Sequence, residues 1–335
     1  MRKFYAVGFA VSLIAVLALM RLLDLGPLME AFGRVSLPML LPCVGIYLLA
    51  HVLRVIRWKV MLRPLASVPF GSPLSALSIC LLANNILPAH MGELVRAYLL
   101  AAENDISKSA VLGTVVMERV YDGLSVLFFL SILLLFLDLP DTPGAAGLSL
   151  SAETLRRVGV MGLAFFGGIL LALRLLVSHQ ALALRLFGWL SRPLPGKLAA
   201  NLVQMALNFA SGLKIAGARD LAMTILLSLA LWLVQCLWAY SPAPAFGLDI
   251  PVSAGFLMTV VLTFALLVPS APAFIGTYQV AAILSLGCFG VDKNVAGAFS
   301  MVLWSAYLVT SSLLGLFFAW KTGLGWRSLR RGQLA

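Results

Sequence analysis

The stretch Asn84-Asn85-Ile86-Leu87-Pro88-Ala89-His90-Met91-Gly92-Glu93-Leu94-Val95-Arg96 interrupts an otherwise apolar region, and Pro269-Ser270-Ala271-Pro272 does the same in the second half of the chain. Proline removes a backbone donor and disfavours helix in the residue before it. Residues 72–102 and 252–289 therefore each read as two helices joined by a turn, a re-entrant hairpin or a tight pair of short spans. The two breaks also align: Pro88-Ala89-His90-Met91-Gly92 matches Pro272-Ala273-Phe274-Ile275-Gly276, and Ala97 and Ala281 continue the register. Pro88, Gly92, Pro269, Pro272 and Gly276 are the expected hinge positions.

Outward from the breaks lie six long apolar segments, at about residues 4–23, 39–56, 110–137, 158–177, 221–240 and 295–320. A spanning helix needs about 20 mostly apolar residues, so each reads as a crossing. Basic residues mark the cytoplasmic connections. Arg2 and Lys3, the stretch from Arg57 to Arg63, the connection 178–219 and the tail with Lys321, Arg327, Arg330 and Arg331 fall on that side. Asp24, Glu30, Asp138, Asp141, Glu153 and Asp249 fall on the other. Each half then runs span, span, hairpin, span, the second with every direction reversed. The expected fold is all-α and polytopic, an inverted-repeat bundle of six long spans and two broken hairpins. The first repeat covers residues 1–137, an outside loop 138–157, the second repeat 158–321 and a cytoplasmic tail 322–335. Discontinuous helices in such repeats commonly line a substrate site near the membrane midplane; Pro and Gly punctuating long helices would give a similar pattern.

Composition agrees with lipid as the solvent. The chain has 335 residues, 61% hydrophobic and 11% charged, against roughly 25% charged in soluble domains. That excludes a soluble catalytic domain. The formal charge of +11 sits beside apolar runs, where it sets topology and attracts anionic head groups, so nucleic-acid binding is not expected. Cys43, Cys80, Cys236 and Cys288 are far apart in apolar stretches, and the three histidines are scattered; no disulfide framework, metal site or cofactor is expected. Residues 4–23 form too long an apolar run for a typical signal peptide and read as a retained span. Leu182, Leu186, Trp189 and Leu190, mixed with Arg185 and Arg192, suit a helix on the membrane face.

Charges inside a bilayer cost roughly 2.5–3.5 kcal/mol each even on translocon scales, so those that remain mark ion pairs or interior paths. Glu93 and Arg96 lie three apart after the first break, and Glu118, Arg119 and Asp122 share the third span. The hairpin leads directly into that span, so the two groups can meet, with Arg54 and Arg57 near the end of the second span joining them. One reading is mutual neutralisation. The other is a charged cavity whose arginines hold a lipid phosphate and whose carboxylates carry a proton. The second hairpin has no charged residue from 252 to 290 and offers Ser270, Thr277, Tyr278 and Gln279. Backbone N–H groups after Pro272 can form an anion site, or Thr277 and Gln279 can satisfy the broken backbone. Candidate substrate-binding residues are Arg57, Asn84, Asn85, Glu93, Arg96, Glu118, Arg119, Asp122, Thr277 and Gln279.

Residues 84–97, Glu118-Arg119-Val120-Tyr121-Asp122-Gly123, Arg57-Trp58 and Pro272-Ala273-Phe274-Ile275-Gly276-Thr277-Tyr278-Gln279 together resemble the signature of the lysylphosphatidylglycerol synthase transmembrane-region family, also called flippase-like or UPF0104. The resemblance implies a bacterial or archaeal inner-membrane protein whose fold moves lipids between leaflets; the basic residues at both ends place the termini in the cytoplasm. In the larger synthase this region flips an aminoacylated phospholipid made by a separate cytosolic domain, which is not expected here. Stand-alone relatives are linked to polyprenyl-phosphate, glycolipid or hopanoid handling. The expected function is a lipid flippase for a head group that is anionic or carries phosphate. The alternatives are an intramembrane lipid-modifying transferase, lacking here any Asp-x-Asp pair, nucleophile elbow or nucleotide loop, and a scaffold partnering a lipid-synthesis enzyme.

Overall fold

The structure is a computed structural model that describes residues 13–14, 16–33, 35–87, 90–136, 152–178, 196–213, 217–266 and 272–323. Pro88, Pro269, Ser270, the segment around Leu182 to Arg192 and the tail beyond 323 lie outside the described residues. Among the described residues every regular element is a helix. After helical residues 16–22 come α1 (Leu25–Gly33), α2 (Leu41–Leu62), α3 (Gly71–Ile86), α4 (Gly92–Asn104), α5 (Lys108–Phe136), α6 (Ala152–Ser178), α7 (Gly196–Gly212), α8 (Ala218–Tyr240), α9 (Ser253–Ala265), α10 (Thr277–Gly287) and α11 (Lys293–Lys321).

Among the described residues three stretches are long and apolar enough to cross a membrane by themselves: Pro38–Leu62, Ala218–Phe246 and Lys293–Lys321. Their outer faces are apolar and uncovered. On α2, Leu41, Val44, Leu48 and Val52 are exposed at helical spacing, as are Val309, Leu313, Leu316 and Trp320 on α11. Contiguous apolar surface of this extent marks a membrane or protein contact, and the spanning length of these helices favours the membrane. Helices α5 and α6 have spanning length, 29 and 27 residues, but α5 carries the Glu118 group and α6 opens with Glu153, Arg156 and Arg157. Polar side chains inside these helices turn back on their own backbone: Ser78 donates to the Leu74 carbonyl, Ser125 to Tyr121, Ser285 to Ala281. That satisfies a hydroxyl where no water is available.

Helices α2 and α8 pack antiparallel along their length. At one end Ser36 N–H donates to the Ala245 carbonyl at 3.1 Å; at the other Arg63 pairs with Asp220 at 2.5 Å. Lys293, at the start of α11, meets Asp24 at 3.1 Å, and Asp292 caps that helix by accepting from the Asn294 and Val295 N–H groups. These fix an Asp24 end and an Arg63 end of the bundle.

Both broken regions form pairs of short helices packed on each other, α3 with α4 and α9 with α10. The longest arm, α3, has 16 residues, about 24 Å, short of a hydrocarbon core about 30 Å thick. Both pairs lean on α11, from opposite ends. A Cβ on Gly315 would meet Leu82 and the Ser78 carbonyl of α3, and Asn85 bonds Ser311, so α3 climbs from the Arg63 end. The turn Pro272–Phe274 meets α11 nearer the Asp24 end, where Trp304 Nε1 donates to the Ala273 carbonyl at 2.7 Å. The tips touch: the His90 and Phe274 rings lie 5.2 Å apart.

Three sequence readings change. The second apolar segment does not stop at 56: α2 continues to Leu62, so Arg57 and Trp58 are buried helix residues and not part of a cytoplasmic connection. Their burial is possible because the Arg57 charge is matched by carboxylates from α5. Residues 25–33, read as part of an outside connection with Asp24 and Glu30, form α1, which packs on α11. Part of the 178–219 connection is α7, which lies along α5 with Gly212 against Ala110 and Gly113; small residues allow that approach.

Candidate functional site

Four helices place one ion network between them. Glu118, on α5, is its centre and has a fully buried side chain. It meets all three arginines: Arg57 from α2 at 3.3 Å, Arg96 from α4 at 2.9 Å and Arg119 at 2.7 Å. Arg57 donates further to Asp122 at 2.7 Å and to Ser228 of α8 at 3.1 Å. Arg96 pairs with Glu93 at 2.5 Å, one turn earlier on α4. Arg119 closes the ring toward Glu93 at 3.7 Å and Asp122 at 3.4 Å. The i, i+3 and i, i+4 spacings in α4 and α5 put these groups on one face of each helix, and α4 packs on α5.

The network is graded in exposure. The Arg57, Arg96 and Glu118 side chains are 0% exposed, Asp122 12%, Glu93 19% and Arg119 49%. Its accessible face is therefore Arg119 flanked by Glu93 and Asp122. Behind it, Trp58 lies under the Arg96 guanidinium at 4.8 Å and donates to Thr114, while Trp232 Nε1 donates to Asp122 at 3.0 Å. These rings hold the charged groups and exclude lipid. Three arginines face three carboxylates, so the network is formally neutral, yet Arg57 Nε and Arg96 Nε are buried without an acceptor. Such donors suit an additional oxyanion. Among the described residues no His, Cys, Asp and Glu are grouped to hold a metal ion.

Arg57, Glu93, Arg96, Glu118, Arg119 and Asp122 thus converge. The other four candidates sit at the breaks. Asn84 Oδ1 accepts from Gly92 N–H at 2.8 Å, tying the two arms together, and Asn85 donates to Ser311 and Ser312. Thr277 donates to the Phe274 carbonyl, and Gln279 Oε1 accepts from Gly276 N–H at 2.8 Å. Of the two readings of the second break, an anion site or capping by Thr277 and Gln279, the capping one holds at Gly276: its N–H belongs to Gln279, because helix α10 starts only at Thr277 and the broken turn uses its own side chains as caps. Gly276 itself sits at φ 87°, a conformation glycine adopts without strain.

Ser228 and Trp232 were not singled out from sequence. They lie four apart on α8, a polar pair at helical spacing inside an apolar span, and that spacing was the available signal. The breaks hold strained backbone as well. His90, Ala273 and Phe274 have φ of 54°, 57° and 60°, and L-residues there cost roughly 1–2 kcal/mol each. Ala273→Gly is accordingly expected to raise stability by about 1 kcal/mol, read as a higher melting temperature of the purified protein; a lower one would show that the Ala273 methyl packs more than it strains.

Comparison with known proteins gives concordant matches. The profile of a family described as the lysylphosphatidylglycerol synthase TM region matches residues 5–315. "Glycosyltransferase AglD" of Haloferax volcanii is 28% identical over 299 residues, which is 82% of this chain and 47% of that protein, so the chain spans about half of that relative's length. "UPF0104 membrane protein MJ1078" of Methanocaldococcus jannaschii is 27% identical over 222 residues, 66% of this chain and 84% of that one. No solved structure matches.

Proposed function

Since the chain belongs to the lysylphosphatidylglycerol synthase TM-region family, we propose that it is a lipid flippase of the bacterial or archaeal inner membrane, with both termini in the cytoplasm and the two halves forming an inverted repeat. The observation that carries this reading is the buried, neutral Arg–carboxylate network with one accessible face, which a membrane protein has little structural reason to keep. Replacing such a network by apolar side chains is often neutral or stabilising, so its presence favours a polar cargo. The cargo is a lipid with an anionic or phosphate-bearing head group. Its head enters beside Arg119 and takes the unused Nε donors of Arg57 and Arg96, while its chains stay in the bilayer. An added anion unbalances three arginines against three carboxylates, and proton uptake on Glu118 or Asp122 restores neutrality, which couples the step to the proton gradient. The hairpin tips at His90 and Phe274 part and close as alternate gates.

The test joins the tips. In a background without Cys43, Cys80, Cys236 and Cys288, His90→Cys/Phe274→Cys protein is cross-linked with a short bis-maleimide and reconstituted in liposomes. Flipping of a fluorescent phosphatidylglycerol, followed by dithionite quenching, is expected to stop when the tips are linked and to proceed in each single variant. Undiminished flipping in linked protein would refute the gate.

A second reading has one observation in its favour, the name of the Haloferax relative: an intramembrane transferase with Glu118 or Asp122 as base. Purified protein that turns a lipid donor into product, detected by mass spectrometry, would support it over transport. A scaffold role predicts that the charged residues tolerate neutralisation.

A further inference from the structure

A fourth arginine stands beside the ion network. Arg54 lies one turn before Arg57 on α2. Its charge acts on Glu118 of α5, on Tyr47 and His51 of its own helix, and on Tyr307 of α11. The three carboxylates of the network are taken by Arg57, Arg96 and Arg119, and among the described residues Arg54 joins no ion pair. Ala50, His51, Arg57 and Trp58, three and four positions to either side of it, are all buried, so Arg54 is on the inward face of α2. Val52, two positions away and so on the far side of the helix, is exposed on the apolar surface. Arg54 nevertheless keeps intermediate exposure. A part-exposed side chain on an inward face opens on a gap inside the bundle, and a cation there without a carboxylate is costly until an anion joins it.

Two uncharged acceptors border this place. His51, one turn from Arg54, sets Nε2 against Ser78 Oγ at 3.0 Å. The Ser78 hydroxyl gives its hydrogen to the Leu74 carbonyl at 2.8 Å, so the ring donates from Nε2, and Nδ1 of the neutral ring is an acceptor. That atom is buried with no partner. Asn85 donates from Nδ2 to Ser311 and Ser312 of α11, at 2.9 and 3.1 Å, and its Oδ1 is likewise buried with no partner. Both residues are more than nine-tenths buried. Ser311 ties them together: it bonds Asn85 and lies within hydrogen-bond reach of Tyr47, which is one turn of α2 from His51. Tyr307, one turn before Ser311, packs its ring 6.0 Å from that of Tyr47 and feels the Arg54 charge. Buried acceptors are normally satisfied. A cation beside two bare acceptors is matched by an anion that also carries donors. A phosphodiester without hydroxyls brings no donor, and an ammonium donor is repelled by Arg54; hydroxyls on a phosphate ester supply both needs.

We infer that this gap is a second head-group station, which holds the phosphate of a hydroxylated phospholipid on Arg54 and takes hydrogen bonds from its head-group hydroxyls on His51 Nδ1 and Asn85 Oδ1. The Arg119 face reads charge; this station reads a polyol or sugar on the phosphate. Arg54 and Arg57 are three positions apart, roughly 5 Å along the helix axis, so a phosphate moves from the network to the station without leaving the reach of a cation. The inference rests on the lipid-transport reading in treating the bound lipid as cargo.

The experiment compares dioleoyl phosphatidylglycerol with dioleoyl phosphatidylpropanol, in which propanol replaces the head-group glycerol. Chains and phosphodiester charge are the same, so every arginine contributes equally, and only the two hydroxyls differ. Binding to the full-length protein in detergent is measured by competition in native mass spectrometry. Phosphatidylglycerol is expected to bind about tenfold more tightly, the effect of two neutral hydrogen bonds. His51→Phe/Asn85→Leu is expected to erase that preference while still binding phosphatidylpropanol. Arg54→Gln is expected to weaken both lipids about tenfold, the loss of a hydrogen bond between charged groups, and to melt like the wild type without lipid. Free glycerol 3-phosphate at the same concentration is expected not to compete, since it brings no chain; displacement by it would assign the site to a soluble ester and overturn the lipid assignment. Equal affinity for the two lipids in the wild type, a preference that survives in the double variant, or unchanged affinity in Arg54→Gln overturns the inference; the first and third decide it even where the double variant does not fold. None of these results bears on the hairpin cross-linking test, so this station and the transport reading fail separately.

Discussion

Glu118→Gln is expected to abolish lipid movement and to cost about 3–5 kcal/mol of stability, the range for breaking a buried ion pair. The carboxylate is fully buried and touches Arg57, Arg96 and Arg119. Its amide leaves three arginines against two carboxylates, with one guanidinium charge uncompensated in a medium that cannot solvate it. Stability loss by itself would not reveal a function, so the pair of comparisons matters. Arg119→Gln removes a side chain that is 49% exposed; ion pairs at such exposure contribute about 0–1 kcal/mol. This variant is expected to stay folded and still to lose flipping. Arg96→Met/Glu118→Met removes one charge of each sign and leaves Arg57 and Arg119 facing Glu93 and Asp122. It is expected to regain most of the stability lost in Glu118→Gln, with flipping still absent. Melting in detergent and dithionite-based flipping in liposomes read the two quantities independently. Normal flipping in Arg119→Gln and in the double Met variant would reduce the network to a structural clamp.

Gly92→Leu should have an effect of similar size by a different route. A Cβ built on Gly92 would run into the Cys80 carbonyl and the Asn84 side chain. The first is helix backbone and cannot step aside, so the arms α3 and α4 must separate. Overpacking of this kind costs about 1–3 kcal/mol. The Asn84 bond to Gly92 N–H, 2.8 Å long, is broken as well, and a buried N–H without an acceptor costs about 1–3 kcal/mol more. Together these are expected to eliminate folded protein on size-exclusion chromatography, while Gly45→Ala, at a helical glycine with nothing within 4 Å, is expected to be tolerated. Folded Gly92→Leu protein with an unchanged melting temperature would mean that the hairpin arms are not packed as described.

The breaks were legible in the sequence because Pro and the Asn84-Asn85 pair have local consequences for the backbone. The matching Pro-Ala-x-x-Gly segments pointed to two equivalent turns, and the structure has turns at both, with His90 against Phe274. The ion network was legible too, since Glu93 and Arg96, and Glu118 and Asp122, occupy helix positions that share a face, and an isolated charge in an apolar run needs a partner. Arg57 was read correctly as a neighbour of the network but placed outside its span. Hydropathy ends a segment at its first cluster of bases, whereas α2 continues as long as its basic residues find carboxylates on α5 and α8. The packed helix α7 went unread for a related reason: Gly212 fits against Ala110, a complementarity between residues about a hundred positions apart.

The sequence by itself determined that this chain lives in lipid, that two of its helical elements are broken, and which ionisable residues must be neutralised, because hydropathy, proline and buried charge act within a few residues of themselves. Only the tertiary structure decided that the two breaks meet on α11, that Glu118 is the hub shared by three arginines, that Gln279 closes the amide at Gly276, and that Tyr47, Trp238 and Tyr278 pack in one cluster. Those facts depend on distances between helices, and no local pattern carries them.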